Sequence, residues 1–408
     1  MVLGIVFIGA LLLAQSAQAR DLTLAEAETL LVRNNRELQA SRRVIESAEA
    51  QRVIAGARPN ATFSVNSTGI GSGGAKPDTV FRIDQPFERG NKRELRLDAA
   101  SGLQRAARHD SLDVLRQQIA ALQGAYYDLK LAQERAEVLA ETAQLFSGTL
   151  NAAQRRLKAG DLAAADVAKV QVDYERAQND ARAAQAERTR AQIALAYLIA
   201  ADQEAPDLRA TDPWPAAQRA DATAVEQAIE TRPDVVAAKA RVEAAEKLRD
   251  LARAQRTRDI TLGAQYERFP GTVPENSVGF GFAVPLFTGY DFSGDIQKAE
   301  VDRYSALDGH ARARAVAMGE LRRAAGDLNA AADRLERFDG SLLGAAARSA
   351  EASEFAFSRG AISVLEVLDT RRTLRAVRLE SLAARNDHAR ALAAWRAAQS
   401  SVQALESR

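Results

Sequence analysis

Two carboxylate side chains, Glu366 and Asp369, lie three positions apart in a strongly helical stretch of the sequence. Residues three apart on a helix share one face, so both carboxylates would point to the same side. Carboxylates that line a narrow passage attract cations and repel anions. The alternative is an ordinary solvated helix face on which Asp369 pairs with Arg372.

Residues that commonly hold metals or drive catalysis lack the spacing for either task. The histidines, His109, His310 and His388, lie far apart along the chain, and there is no cysteine. Metal sites need several such ligands at fixed spacing. No phosphate-binding loop and no Ser/His/Asp pattern is present. The sequence therefore predicts a protein that is not an enzyme, with no catalytic, cofactor-binding or metal-binding site.

The stretch that carries Glu366 has a degraded copy two hundred positions earlier. FSRGAISVLEVLDTRRTL, from Phe357, aligns without gaps to RLKAGDLAAADVAKVQ, from Arg156, so that Gly160 meets Gly360 and Asp166 meets Glu366. A glycine inside a helical pattern costs about 1 kcal/mol relative to alanine and suits a left-handed helix end. Each copy therefore predicts a helix-turn-helix tip.

The duplication extends beyond the tips. RPDVVAAKARVEAAE, from Arg232, matches NRELQASRRVIESAE, from Asn35, in the first half of the chain. Each half then predicts a helix, a β-hairpin and a long helical hairpin. We divide the chain into a signal peptide (1–19), a first repeat (20–203, hairpin 61–87), a proline-rich linker (204–221) and a second repeat (222–408, hairpin 259–287).

Composition favours long packed helices in an exported protein. The apolar start ends in Ala17-Gln18-Ala19, which predicts a cleaved secretory signal, and nothing later is apolar for long enough to span a bilayer as a helix. Lys and Arg number 55 against 54 Asp and Glu, for a net charge of +1, which argues against nucleic acid as a partner. The helical segment from Arg93 to Lys158 would extend for about 100 Å.

Each repeat also contains a pair of alternating segments that predict β-strands. The alternating apolar residues are Phe63, Val65, Val80 or Phe81, and Ile83 in the first half, and Ile260, Leu262, Ala264, Tyr266, Val278, Phe280, Phe282 and Val284 in the second. Strands of about ten residues suit a tilted crossing of a membrane. Aromatic residues near the strand ends suit a membrane interface, although such residues also cap soluble sheets.

Proline and glycine follow both predicted hairpins. Pro86 with Gly90, and Pro285 with Gly289, are positioned to end the strand and to bend the chain into the next helix. Four strands cannot close a membrane barrel, because open edges leave backbone groups unpaired in lipid. A membrane-inserted form must therefore be oligomeric, with eight strands from two chains or twelve from three.

This order of elements resembles the TolC-type outer-membrane efflux channels over nearly the whole mature chain. QPFERGNKRELRLDAA, from Gln85, is similar to a segment of the channels that serve cobalt-zinc-cadmium efflux pumps, with Asn91 at a position where glycine is usual. The resemblance implies a mainly α fold with a small membrane β part. It also implies a homotrimer with a twelve-stranded barrel in the outer membrane and an α-helical barrel in the periplasm. The implied partners are a periplasmic adaptor and an inner-membrane pump of the resistance-nodulation-division type.

The resemblance also assigns roles to residues at the tips. Ala159, Gly160 and Asp161, with Arg359, Gly360 and Ala361, occupy the positions that contact the adaptor, although the family's valines are absent. Glu366 and Asp369 coincide with the acidic gate positions and would form two carboxylate rings in a trimer. Asp166 matches a position that holds the tip closed, and Lys169 replaces the second acid in the first copy.

Three interpretations of function follow from the sequence. The first is a passive outer-membrane conduit for heavy-metal cations. The second is the same kind of channel serving drugs, other organic compounds or type I secretion. The third is a periplasmic coiled-coil scaffold or adaptor, which has no need for the paired alternating hairpins.

Overall fold

The computed structural model describes residues 20–70, 77–221, 225–270, 273, 275–359 and 361–407. The predicted signal peptide lies outside this part of the chain. The elements, in chain order, are β1 (Arg20–Leu22), α1 (Leu24–Asn34), α2 (Arg36–Gly56), β2 (Thr62–Thr68), β3 (Asp78–Phe87), α3 (Lys92–Lys158), α4 (Ala164–Ile199), a 3-10 helix (Asp202–Asp207), β4 (Leu208–Ala210), α5 (Val225–Glu230), α6 (Pro233–Ala254), β5 (Ile260–Phe269), β6 (Glu275–Ala283), α7 (Ser293–Arg337), a π-helix (Phe338–Leu342), α8 (Leu343–Ser358), α9 (Val364–Gln399) and α10 (Val402–Glu406). None of the helices among these residues is both long enough and apolar enough to cross a bilayer.

The first helical segment is interrupted at Asn35, where the sequence predicts a softened helix. Thr23 and Glu26 form a capping box that starts α1, and α1 ends before Asn35, whose ψ is 130°. The Asn35 side chain is buried and donates hydrogen bonds to the Leu198 carbonyl (2.8 Å) and to Gln118 Oε1 (3.3 Å). These bonds satisfy a polar group that would otherwise be costly to bury.

The chain forms two compact units, and each draws residues from both sequence repeats. Of the described residues, one unit comprises those within 20–36, 116–221 and 321–398, and the other those within 37–115, 225–320 and 399–407. We call them the tip unit and the sheet unit, because the first contains the two predicted tips and the second contains both hairpins. Helices α3 and α7 contribute residues to each.

In the sheet unit, four antiparallel strands follow the order β2-β3-β5-β6. The central β3–β5 pair joins the two repeats, with Phe81 opposite Tyr266. Side chains alternate between the faces of a sheet, so the pairing register assigns each residue to one face. One face is mainly apolar and carries Phe63, Val65, Phe81, Ile83, Leu262, Ala264, Tyr266, Val278, Phe280 and Phe282, with Ser67, Thr79, Arg268 and Asn276 near the hairpin turns. The other is mainly polar and carries Ser64, Asn66, Asp78, Arg82, Asp84, Gln265, Glu267, Glu275 and Ser277, with Gly263, Gly279, Gly281, Val80 and Phe269.

The apolar face of the sheet is open to its surroundings. Phe280 is 85% exposed and Phe282 is 76% exposed, and the other large apolar side chains on this face are exposed as well, from 38% at Phe81 to 68% at Val278. A contiguous exposed apolar surface of this kind marks an interaction with a membrane or with another protein.

In the tip unit, an apolar cluster holds three helices together. Phe146 and Leu150 of α3 pack with Val167 and Val170 of α4, and Leu368 of α9 completes the cluster. The same unit contains the short parallel pair of β1 and β4. Both Thr211 and Asp212 donate backbone hydrogen bonds to the Tyr126 hydroxyl, which in turn donates to the Leu22 carbonyl.

Candidate functional site

The first tip is a Schellman turn, as its glycine predicts. Helix α3 ends at Lys158, and Gly160 adopts a left-handed conformation with φ of 81°. The Gly160 N–H donates to the Leu157 carbonyl (3.0 Å), and the Asp161 N–H donates to the Arg156 carbonyl (2.9 Å). These are the two bonds of a Schellman motif. Ala159, Gly160 and Asp161 are exposed, so this turn presents its surface to solvent.

The second tip has a matching backbone bond. The Ala361 N–H donates to the Ala356 carbonyl (2.9 Å), the same span as the bond from Asp161 to Arg156. Gly360 itself lies outside the described residues. Arg359 and Ala361 are exposed, and the Arg359 guanidinium lies over the Phe355 ring, 5.3 Å from its centre. The two tips therefore present different chemistry, one basic at Arg359 and one acidic at Asp161.

Glu366 takes part in the start of α9. The Ser363 N–H donates to Glu366 Oε2 (2.9 Å), and the Glu366 N–H donates to Ser363 Oγ (3.3 Å). This reciprocal pair is a capping box, which sequence inspection missed although Ser363-x-x-Glu366 is its signature. The Glu366 side chain nevertheless remains exposed, so its charge stays available to ions at the tip.

Asp369 is also exposed, and it makes no ion pair within the described part of the chain. Arg372, the partner considered from the sequence, instead pairs with Asp173 of α4. In the first copy, Lys169 Nζ lies 3.3 Å from Asp166 Oδ1. The first tip therefore has a carboxylate paired with a lysine, whereas Glu366 and Asp369 at the second tip are exposed and make no ion pair among the described residues.

Two ion pairs link α9 to α4 beyond the tips. Arg372 pairs with Asp173, whose side chain is only 10% exposed, and Arg375 pairs with Asp180 at 3.0 Å. The contact of Leu368 with Val167 and Val170 continues the same interface. Because water screens a buried carboxylate poorly, the charge of Asp173 is less screened than that of Asp180, which is 45% exposed.

In the sheet unit, the segment from Gln85 to Arg96 builds the joint between β3 and α3. Gln85 Nε2 donates to the carbonyls of Pro59 (3.0 Å) and Pro86 (2.9 Å). Arg96 Nη2 donates to Glu88 Oε2 (2.9 Å). Pro86 lies within β3, past the last residue that pairs with β2, Asp84. Pro86 therefore removes no bond to β2, although it still lies opposite Thr261 of β5 in the register.

A buried lysine completes this joint. Lys92 is 4% exposed, and its Nζ donates to Asp259 Oδ1 (2.8 Å). The Arg89 N–H donates to the same oxygen (2.9 Å). Gly90, with φ of 72°, passes so close to Thr257 that an added Cβ would lie 2.9 Å from the Thr257 side chain. The segment that resembles heavy-metal channels is thus a structural joint, and Gly90 is required both by conformation and by space.

The second joint is built differently. Pro285 follows the end of β6 and is exposed, and a Cβ at Gly289 would meet open space. The left-handed residue here is Phe292, with φ of 63°. The Ser293 N–H donates to Asp291 Oδ1 (3.1 Å), which supports the start of α7.

The histidines do not come together. Within the described residues, no group of three or more His, Asp or Glu side chains is arranged to hold a metal ion. His388 is fully buried, and its Nε2 accepts the Gln218 N–H (3.1 Å). Burial lowers the pKa of His109. These contacts are those of structural side chains.

The chain matches the family model described as outer membrane efflux protein over residues 27–201 and 224–400. It is 25% identical, over 89% of its own length and 86% of the relative's, to the cobalt-zinc-cadmium resistance protein CzcC of Cupriavidus metallidurans. It resembles a membrane protein from Pseudomonas aeruginosa with a TM-score of 0.79 at 18% identity, over 92% of this chain and 93% of that one. It also resembles the CmeC outer membrane channel of Campylobacter jejuni with a TM-score of 0.78 at 16% identity, over 92% and 85% of the two chains.

The two family matches correspond to the two halves of the duplication, and together they cover most of the chain. This result favours a channel over the periplasmic scaffold considered from the sequence, and it is consistent with a protein that is not an enzyme. The chain belongs to the outer membrane efflux protein family, and it is an outer-membrane channel of tripartite efflux systems that extends into the periplasm.

Proposed function

We propose that the chain forms a homotrimer whose three sheets close a twelve-stranded barrel, and that this channel exports heavy-metal cations. The observation that carries the proposal is the two-faced sheet, which is apolar and exposed on one side and polar on the other. A soluble protein would bury the apolar side. In a membrane barrel, that side faces lipid and the polar side lines the lumen.

The edges of the sheet support assembly with further copies. Strands β2 and β6 lie at the two ends of the strand order, each with one neighbour. An unpaired edge is costly in lipid, where no water can satisfy the backbone groups. Pairing of β2 in one copy with β6 in the next removes every edge when three copies close the ring.

The acidic tip supports cation transport. Glu366 and Asp369 are exposed and lie three apart near the start of α9. In a trimer they would provide two rings of carboxylates at the periplasmic entrance, and such rings favour cations. The exposed turn Ala159–Asp161, and the exposed residues Arg359 and Ala361 with Gly360 of the second tip, would contact a periplasmic adaptor. This adaptor links the channel to an inner-membrane pump of the resistance-nodulation-division type. Asp166, paired with Lys169, would help to hold the first tip in place.

The choice of metal over other cargo rests on the similarity to CzcC, whose name refers to cobalt, zinc and cadmium resistance. Metal selection would belong to the pump, and the channel would supply an acidic passive path. Channels for organic compounds or for type I secretion share this architecture, so the experiment must identify which class of compound the channel exports.

The test is a deletion of this gene in its own host, complemented with the wild-type chain or with an empty plasmid. Growth is scored against Co²⁺, Zn²⁺ and Cd²⁺, and separately against dyes and detergents. Loss of metal tolerance and higher cellular cadmium in the deletion strain, both restored by the wild-type chain, are expected. Unchanged metal tolerance with lost dye or detergent tolerance would contradict the metal assignment and favour organic cargo.

A further inference from the structure

The polar face of the sheet carries a charged pair on β3, Arg82 and Asp84, which also contacts the neighbouring strand β5. Arg82 Nε donates to Asp84 Oδ2 (2.7 Å), and Arg82 Nη2 donates to Asp84 Oδ1 (2.8 Å). Arg82 Nη1 reaches the next strand and donates to Gln265 Oε1 (2.8 Å). The guanidinium is therefore held on both sides, by a bidentate carboxylate pair and by an amide.

Glycine makes this arrangement possible. Gly263 lies directly opposite Asp84 in the register. A Cβ at Gly263 would lie 2.4 Å from Asp84 Oδ1 and 2.6 Å from Arg82 Nη2. Both distances are shorter than van der Waals contact, so any side chain at this position would displace the pair. Gln265 likewise lies close to Gly279, where a Cβ would be 3.0 Å from its Cγ.

Side chains on a sheet ordinarily stand roughly perpendicular to it. Here a long arginine and its partner lie flat over a glycine, so that they add little thickness to the polar face. Their charges also cancel. Glu267 accepts hydrogen bonds from the neutral groups Gln265 Nε2 and Ser277 Oγ, so its negative charge is not neutralised by these partners.

We propose that the Arg82–Asp84 pair, laid flat over Gly263, sets the width of the channel within the sheet, and that Glu267 contributes fixed negative charge that favours hydrated cations. This inference rests on the proposed function, in which the polar face lines the lumen. Displacing the pair from Gly263 would raise an arginine and a carboxylate into the path of the ions. Removing the charge of Glu267 would weaken the preference for cations without changing the width.

Single-channel conductance of the purified protein in planar bilayers tests the width. Gly263→Ala is expected to lower the conductance. Gly281→Ala is the matched control, because Gly281 pairs with Gly263 in the register and a Cβ there would meet only Arg82 Nη2, at 3.9 Å. A Gly263→Ala trimer that conducts like the wild type would overturn the inference, as would an equal loss in both variants.

A second pair of variants keeps the test decisive if Gly263→Ala assembles poorly. Arg82→Ser/Asp84→Ser removes both side chains at no net change of charge and is expected to raise the conductance. Adding Gly263→Ala to that variant should then have no effect, because nothing remains to be displaced. No increase in the double variant, or a further loss on adding Gly263→Ala, would overturn the assignment of width.

Reversal potentials in a KCl gradient test the charge. Glu267→Gln is expected to lower the cation-to-anion permeability ratio, whereas Arg82→Ser/Asp84→Ser should leave that ratio near its wild-type value. An unchanged ratio in Glu267→Gln would overturn the role of Glu267. A wild-type protein that forms no pore would instead refute the proposed function, so the two failures are distinguishable.

Discussion

The buried pair of Lys92 and Asp259 leads to an asymmetric prediction. Lys92 is 4% exposed, whereas the Asp259 side chain is 37% exposed. Asp259→Ala leaves a buried ammonium group without its carboxylate, and breaking a buried pair in this way costs about 3–5 kcal/mol. Water reaches the site from the Asp259 side, so we take the lower end of that range, about 3 kcal/mol.

Lys92→Met removes the buried charge and keeps most of the apolar stem. Asp259 then remains partly solvated and still accepts the Arg89 N–H at 2.9 Å. The free energy of unfolding should therefore fall by about the contribution of one hydrogen bond, about 1 kcal/mol. The aspartate variant should therefore be the less stable of the two, although both remove the same contact.

Thermal unfolding in detergent, followed by helical circular dichroism, measures the difference. Each kcal/mol lost should lower the midpoint by about 2–4 °C. Lys298→Met is the control, because Lys298 and Asp302 form an exposed pair on α7, with side chains 75% and 57% exposed, and water screens such pairs so that they contribute little to stability. The reasoning is refuted if Lys92→Met is as damaging as Asp259→Ala, or if the surface control loses as much as either.

Three further predictions concern the tips and the long helices. Gly160→Ala should lower the free energy of unfolding by about 1–2 kcal/mol, because a residue with a Cβ is strained at φ of 81°. It should also speed proteolysis at the tip, whereas the control Gly148→Ala, inside α3, should not. His109 has a pKa below its ordinary 6.5 because it is buried; the folded state thus binds its proton less readily than the unfolded state, and stability should fall as pH drops through 6.5. Between pH 7.5 and pH 5.5, the thermal midpoint should fall by fewer degrees in His109→Gln than in the wild type. Equal decreases would show that another group is responsible. Glu366→Gln/Asp369→Asn should weaken the cation preference of the pore in planar bilayers while Glu380→Gln leaves it unchanged; Gln at 366 can still accept the Ser363 N–H, so a loss of folding would contradict this assignment.

The sequence predicted the elements more fully than their connections. Alternation and period correctly indicated both hairpins, and one glycine indicated the first tip, because these signals are local. The partner of Arg372 could not be found in this way. Asp173 lies on another helix, and only the packing of Leu368 between α3 and α4 brings the two together.

The joint at Gln85–Arg96 shows the same limit. Its residues were visible as a motif, yet its key partner, Asp259, belongs to the second repeat and is reached through the β3–β5 pairing. The β1–β4 pair was missed because each strand has three residues, too few to show a period. By contrast, Ser363 and Glu366 carried a local capping signature that could have been recognised.

The central claim is that the apolar face of the sheet lies against lipid while the polar face lines water. The chain has no cysteine, so a single introduced cysteine can carry a fluorophore without further changes. Phe280→Cys and Gly281→Cys place it on opposite faces of β6, at adjacent positions, and a Cβ at Gly281 would meet only Arg82 Nη2, at 3.9 Å. In reconstituted vesicles, the label at 280 should be quenched by brominated lipid and the label at 281 by aqueous iodide. Quenching of both labels by iodide alone would contradict the account.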